Sequence, residues 1–236
     1  MYVLDWQDFT ADVTWFVKAV DVVDLEPPRS ALDGIFAPTS DFSRKFPGLT
    51  ELLRQARVTR VRVNSRPYHL YGWTNGEGQS LGWLCLPPSH QVEKVELHPD
   101  HRLLLSCFGG VTEQWNEPET TWLLNLKSAL CEAHSQVGIG DWESYYLWLC
   151  EEEGLRPCVE PSDYVSFAFE ANGNRTVYQS RSSEVLMFAH DHYFSHIVPV
   201  PGCPEYTFYT IRDCPDLQTW VEIVARQWLA DIARSG

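Results

Sequence analysis

Between residues 164 and 189 the chain carries three short apolar runs separated by two turn signals, and this spacing leaves few folds open. Val165, Phe167 and Phe169 alternate with Tyr164, Ser166 and Ala168, the period of two expected of a strand. Asn172-Gly173-Asn174 then reads as a turn, residues 176–179 as a second strand, and Arg181-Ser182-Ser183 as a turn into a third over 184–189. The three strands form an antiparallel meander. A meander needs an apolar layer to cover it, and the segments on either side supply candidates.

The clearest candidate is the C-terminal segment. Asp216 is a good N-cap, and Leu217, Trp220, Val221, Val224, Ala225, Trp228, Leu229 and Ile232 follow the spacing of one helix face. Residues 141–153 predict another helix, bearing Trp142, Tyr145, Tyr146, Trp148 and Leu149. Its apolar residues spread beyond one stripe, so it must be largely buried or face a partner. Trp6, Phe9, Val13, Phe16, Val17 and Val20 predict an opening helix, ended by Pro27-Pro28. A long loop is expected over 26–48 and a short helix over 49–56. A strand at 58–63 carries arginines on one side. Residues 68–73 and 79–86 flank Asn75-Gly76-Glu77-Gly78 as a hairpin. A helix is expected over 99–107, ending at Gly109-Gly110. Strands are expected at 121–126 and 206–211. The class is α+β: a mostly antiparallel sheet containing a β-meander, flanked by helices that include a C-terminal amphipathic one. Residues 1–66 are expected to form a helix and loop extension packed on a main domain of residues 67–236.

Charge narrows the function classes. The net charge is −14. Residues 1–66 hold nine charges of each sign and 67–236 hold nine basic and 23 acidic residues, so the second part carries 9 − 23 = −14 alone. Such a surface repels nucleic-acid phosphates and favours a basic partner. The arginines at 57, 60, 62 and 66 then read as a basic strand pairing with local acids rather than as a nucleic-acid site. The seven cysteines are odd in number and none lies in a Cys-x-x-Cys pair, as expected of reduced thiols in a cytoplasmic protein. The opening residues have no basic stretch before an apolar run, and no segment approaches the length of a membrane span, so no membrane role is expected.

Several short motifs run in one order. A helix ending in Gly109-Gly110 precedes Phe169-Glu170-Ala171-Asn172-Gly173-Asn174 and Val177-Tyr178. Ser182-Ser183-Glu184-Val185 then leads to His190-Asp191-His192, and the last helix bears Trp220-Val221-Glu222. Over about residues 85–232 this resembles the SUKH superfamily, which holds a yeast regulator of cell-wall synthesis and many bacterial immunity proteins. The resemblance implies an α+β domain that binds another protein, often neutralising a toxin, and it implies no catalytic residues and no cofactor. The N-terminal 65 or so residues and the proline-rich stretch 199–204 depart from the family pattern.

Three site readings follow. His190, His192 and His196 with Cys203 contain zinc-type donors, which would suit a metal-dependent hydrolase. No nucleophile-elbow, zincin or phosphate-loop motif accompanies them, although a pair of carboxylates among Glu113, Glu117 and Glu119 would serve a glycosidase. A regulatory adaptor is a further alternative. The favoured reading is a non-catalytic protein-binding module, an immunity protein that occludes a basic toxin stoichiometrically. Its expected contact residues are Glu113, Trp115, Glu117 and Glu119 on a loop, with Glu151, Glu152 and Glu153 at a helix end. Charge there would steer the partner and tryptophan would anchor it.

Overall fold

The computed structural model describes residues 4–89, 95–191 and 194–233. Among these described residues six α-helices and thirteen strands are arranged as an α+β fold. In chain order they are α1 (Leu4–Asp12), β1 (Val23–Leu25), β2 (Arg29–Ser30), α2 (Ser40–Lys45), α3 (Pro47–Arg54), β3 (Arg57–Val63), β4 (Arg66–Thr74), β5 (Ser80–Cys85) and α4 (Pro99–Leu105). Next come β6 (Val111–Trp115), β7 (Leu126–Ala129), β8 (Gln136–Val137), α5 (Trp142–Glu152), β9 (Tyr164–Glu170), β10 (Arg175–Gln179), β11 (Val185–Phe188), β12 (Ile197–Pro199), β13 (Phe208–Ile211) and α6 (Leu217–Ala233). The chain divides into two compact units. One takes the described residues of 4–89, 103–124 and 221–233, and the other those of 95–102 and 125–220.

In the first unit the strands run β1-β3-β4-β5-β6, all antiparallel, with β2 on the same edge of β3 as β1. The pleat sends alternate residues to opposite faces. Val61, Val63, Tyr68, Leu70 and Leu84 meet Trp6, Phe9 and Val13 of the N-terminal segment. On the other parity, Trp73 and Trp83 pack with Trp228 of α6, with ring centroids 4.9–5.6 Å apart. Gly82 is required where it stands: a Cβ there would sit 2.2 Å from the Trp115 ring. Helix α3 starts at Pro47 with no cap from its own N-cap side chain. The Glu222 carboxylate takes that role across the unit, accepting from Gly48 N at 2.8 Å and Leu49 N at 3.2 Å. Arg57 is paired with the buried Asp5 at 2.8 Å, and Arg60 with Glu26 at 3.7 Å. These arginines therefore have acidic neighbours within their own unit.

In the second unit the order is β7-β9-β10-β11-β13-β12, with β8 beside β7 on the edge of β9. The meander expected at 164–189 is present as β9, β10 and β11. One face carries Val177, Leu186, Phe188 and Phe208 against Tyr146 and Cys150 of α5. The other carries Phe167 and Tyr178, with Trp220 edge-on to Phe167 at 5.0 Å. Because both faces are covered, β11 is buried at every position, as strands of a doubly covered sheet are. His101 has no solvent exposure, yet its ring is fully bonded. Nε2 meets the Leu130 carbonyl and Nδ1 the Tyr178 hydroxyl, both at 3.1 Å. The carbonyl only accepts, so Nε2 carries the proton, Nδ1 accepts from Tyr178, and the Tyr178 oxygen accepts from His98 N at 3.4 Å.

Several expectations are corrected. Helix α1 ends at Asp12, whose carboxylate instead accepts from Asn116 N at 3.1 Å. Phe16 and Val17 still reach the cluster from a turn, and Val20 is 85 % exposed. The strand expected from 121 begins only at Leu126, because Thr121 Oγ1 is held by Trp228 Nε1 and Leu123 N and the chain turns there. The stretch 26–48 is not all loop, since it contains β2 and α2. The division expected at residues 66 and 67 falls at the first residues of β4, which pairs with β3 from Val63↔Arg66 to Arg57↔Gly72. Arg57–Val63 and Arg66–Thr74 are thus paired strands of one sheet, joined by a turn at Asn64-Ser65.

Two outcomes test this packing. Glu222→Ala strips two backbone donors of a charged acceptor and should lower unfolding stability by about 2 kcal/mol, read as a lower denaturant midpoint at unchanged slope. Burial lowers the His101 pKa from 6.5 to about 4. The folded state thus refuses a proton that the unfolded chain accepts, and stability held above pH 6.5 is lost as pH falls to about 4. His101→Gln should be less stable overall but should lack this component. Its stability should fall less steeply than the parent's across that window, by up to about 1.4 kcal/mol per pH unit, in denaturation curves taken at several pH values.

Candidate functional site

Helix α5 has two faces with different fates. Tyr146 and Cys150, four residues apart, point inward and are buried. Tyr146 stands perpendicular to Phe208 at 5.0 Å. Its hydroxyl oxygen accepts from Cys158 N and Val159 N, both at 3.2 Å, which fixes the segment after the helix. The outer face is not covered within this unit: Leu147 is 44 % and Trp148 53 % exposed. Trp142, Tyr145 and Trp148, three residues apart, form a ladder with ring centroids 5.7 and 6.1 Å apart. Trp142 is anchored by stacking on His190 at 3.9 Å.

This ladder runs into Glu151, Glu152 and Glu153, all exposed. The helix closes there, with Gly154 at φ +65 and Leu155 N bonded to Cys150 O at 2.8 Å, a C-terminal cap of the left-handed type. No basic residue occupies the last turn. The carbonyl end of a helix already carries partial negative charge, so three carboxylates there work against local stability. The same arrangement concentrates negative potential beside exposed aromatic and aliphatic surface.

The other expected acidic surface is different. Residues 111–115 are the strand β6, not a loop. Trp115 has no exposure; it packs edge-on to Phe9, and its indole donates to Ser80 Oγ at 3.4 Å. It is part of the core of the first unit and is not available as an anchor. Glu113 is half-buried beside the Trp15 indole at 3.4 Å, and burial pushes its pKa up to about 7. Burial also raises Glu117. Only Glu119 of the three is exposed. Val111, Thr112 and Trp115 are strand-favouring residues, but Glu113 among them and the glycine pair before them give the stretch the composition of a loop.

The expected metal donors are placed as follows. His190 is fixed by the Trp142 stack, with its backbone N donating to Asn174 Oδ1 at 3.2 Å. His192 lies outside the described residues. His196 is half-buried beside Phe194 at 5.6 Å, and burial lowers its pKa. Cys203 faces Cys158. Among the described residues no group of three or more His, Cys, Asp or Glu side chains is placed to hold a metal ion, and no helix is long and apolar enough to cross a membrane. The chain matches no family model, no curated protein and no solved structure.

The half-buried Glu113 gives a measurable outcome. Its folded pKa of about 7 lies above the 4.5 of a free carboxyl, so its favourable contribution is full below pH 4.5 and is lost as pH rises through 7. Glu113→Gln cannot ionise, so its stability relative to the parent should improve as pH rises across that interval, seen as a widening difference in unfolding midpoint.

Proposed function

We propose that the protein is a non-catalytic binding module, an immunity-type protein of the kind bacteria carry in the cytoplasm, that neutralises a basic toxin by covering it. The observation that carries this reading is the outer face of α5, where exposed Leu147 and Trp148 adjoin Glu151, Glu152 and Glu153. The net charge of −14 adds long-range attraction toward a cationic partner. The resemblance to the SUKH superfamily over residues 85–232 points to the same role. Occlusion needs no turnover: the carboxylates steer, the tryptophan fills a pocket on the partner, and the partner's cleft is closed to its substrate.

Capture with the full chain from the native cell should return a basic protein whose toxicity is relieved by co-expression. With that partner, Glu151→Lys, Glu152→Lys and Glu153→Lys combined should slow association about tenfold or more at low salt. Added salt should slow the parent more than this variant, which keeps a net charge of −14 + 6 = −8. Trp148→Ala should act on dissociation and raise Kd on the order of tenfold or more. Unchanged association and affinity in both variants would remove α5 as the interface, and a captured partner that is acidic or harmless would remove the toxin reading.

A further inference from the structure

The seven cysteines differ sharply in access. Cys85, Cys107, Cys131, Cys150 and Cys214 are buried, Cys158 is exposed and Cys203 is partly exposed. The two accessible thiols, 45 residues apart in sequence, face each other with their sulfurs 2.9 Å apart. Both sit on held backbone. Cys158 N and Val159 N donate to the Tyr146 hydroxyl, and Cys203 N donates to Val200 O at 3.0 Å. Gly202, at φ +87, brings the loop between β12 and β13 against the Cys158 thiol, where even a Cβ would stand 3.7 Å from that sulfur. The Cys203 sulfur also lies 3.9 Å from the Tyr146 hydroxyl.

We infer that Cys158 and Cys203 are a reversible dithiol–disulfide pair, formed by exchange with a low-molecular-weight disulfide, that ties the segment following α5 to the β12–β13 loop. The exposed Cys158 thiolate attacks one sulfur of the small disulfide, forming a mixed disulfide and releasing one small thiolate. Cys203 loses its proton and attacks the Cys158 sulfur, the mixed bond breaks, and the second small thiolate leaves. The protein gives up two protons and two electrons, and the small disulfide becomes two thiols. The sulfurs must close from 2.9 Å to about 2.0 Å, a movement within reach of side-chain rotation. Burial, and then the hydrogen bond with Cys158, push the Cys203 thiol up to about 12. That suits it to resolve the mixed disulfide at close range rather than to react first with solution species. Closure of a 45-residue separation removes freedom from the unfolded chain.

The full-length reduced chain is incubated with excess oxidised glutathione, alkylated, and examined by intact mass and non-reducing peptide mapping. The expected product is a monomer lighter by two hydrogens, with one new cross-link joining residues 158 and 203 and a melting temperature raised by about 5 °C or more. Cys203→Ser should trap glutathione on Cys158 without the gain in melting temperature, and Cys150→Ser should still form the link. A persistent glutathione adduct on Cys158 of the parent, a link through Cys150, or intermolecular dimers in place of the monomer link would overturn the inference. The peptide map of the parent decides the matter even if a serine variant does not fold.

Discussion

His101 lies where no water reaches it and still has both ring nitrogens engaged, and the second unit is organised around that arrangement. The relay from His98 N through Tyr178 to His101 and on to the Leu130 carbonyl joins the start of α4, the middle of β10 and the turn after β7. With the imidazole neutral, Nδ1 keeps the lone pair to which the tyrosine hydroxyl donates. Inside a core a polar group without a partner costs more than a paired one returns, so the relay fixes those three pieces together or not at all. The same rule operates elsewhere. Glu222 supplies the cap that α3 lacks, Asp5 holds Arg57 and Ser80, and Tyr146 takes the backbone donors of Cys158 and Val159. The apolar layers give each unit its cohesion. The buried polar contacts decide which segments lie beside which.

Helix α5 shows how such a contact sets up a surface. Tyr146 and Cys150 commit one face to the core, Trp142 and Tyr145 pack at its margin, and Leu147 and Trp148 are left exposed. A helix end bearing Glu151, Glu152 and Glu153 is a poor choice for stability alone. Placed next to Trp148 and Leu147 it has the features that the proposed binding of a cationic protein requires. Rigid aromatic side chains lose little freedom on contact, and clustered charge speeds encounter. The pairing of Cys158 with Cys203 lies just beyond this helix, in the segment that Tyr146 holds in place.

Strand and helix identity were legible wherever the periodicity was long and uninterrupted. The meander at 164–189, the helices at 141–153 and 217–233, and the hairpin around Asn75-Gly76 all appear where their spacing puts them. Legibility failed where a side chain's distant partner overrode local pattern. Thr121 looks like the start of a strand, yet its hydroxyl oxygen accepts a hydrogen bond from an indole 107 residues away, and the chain turns. Asp12 ends α1 by bonding 104 residues away. Residues 113–119 look like an acidic loop because three of the seven are glutamates, while the tertiary fold uses 111–115 as a strand paired with β5.

The sequence by itself determined the α+β class, the antiparallel meander, the amphipathic C-terminal helix and the concentration of negative charge after residue 66. These follow from local periodicity and from counting, and neither needs a partner segment. Only the tertiary structure decided that Trp115 is core and Trp148 is surface, although both stand near acids in the sequence. Only it set Cys158 against Cys203 across 45 residues with no spacing signal. Burial and proximity are properties of what packs on a residue from elsewhere in the chain. The residue's own neighbours in sequence do not carry that information.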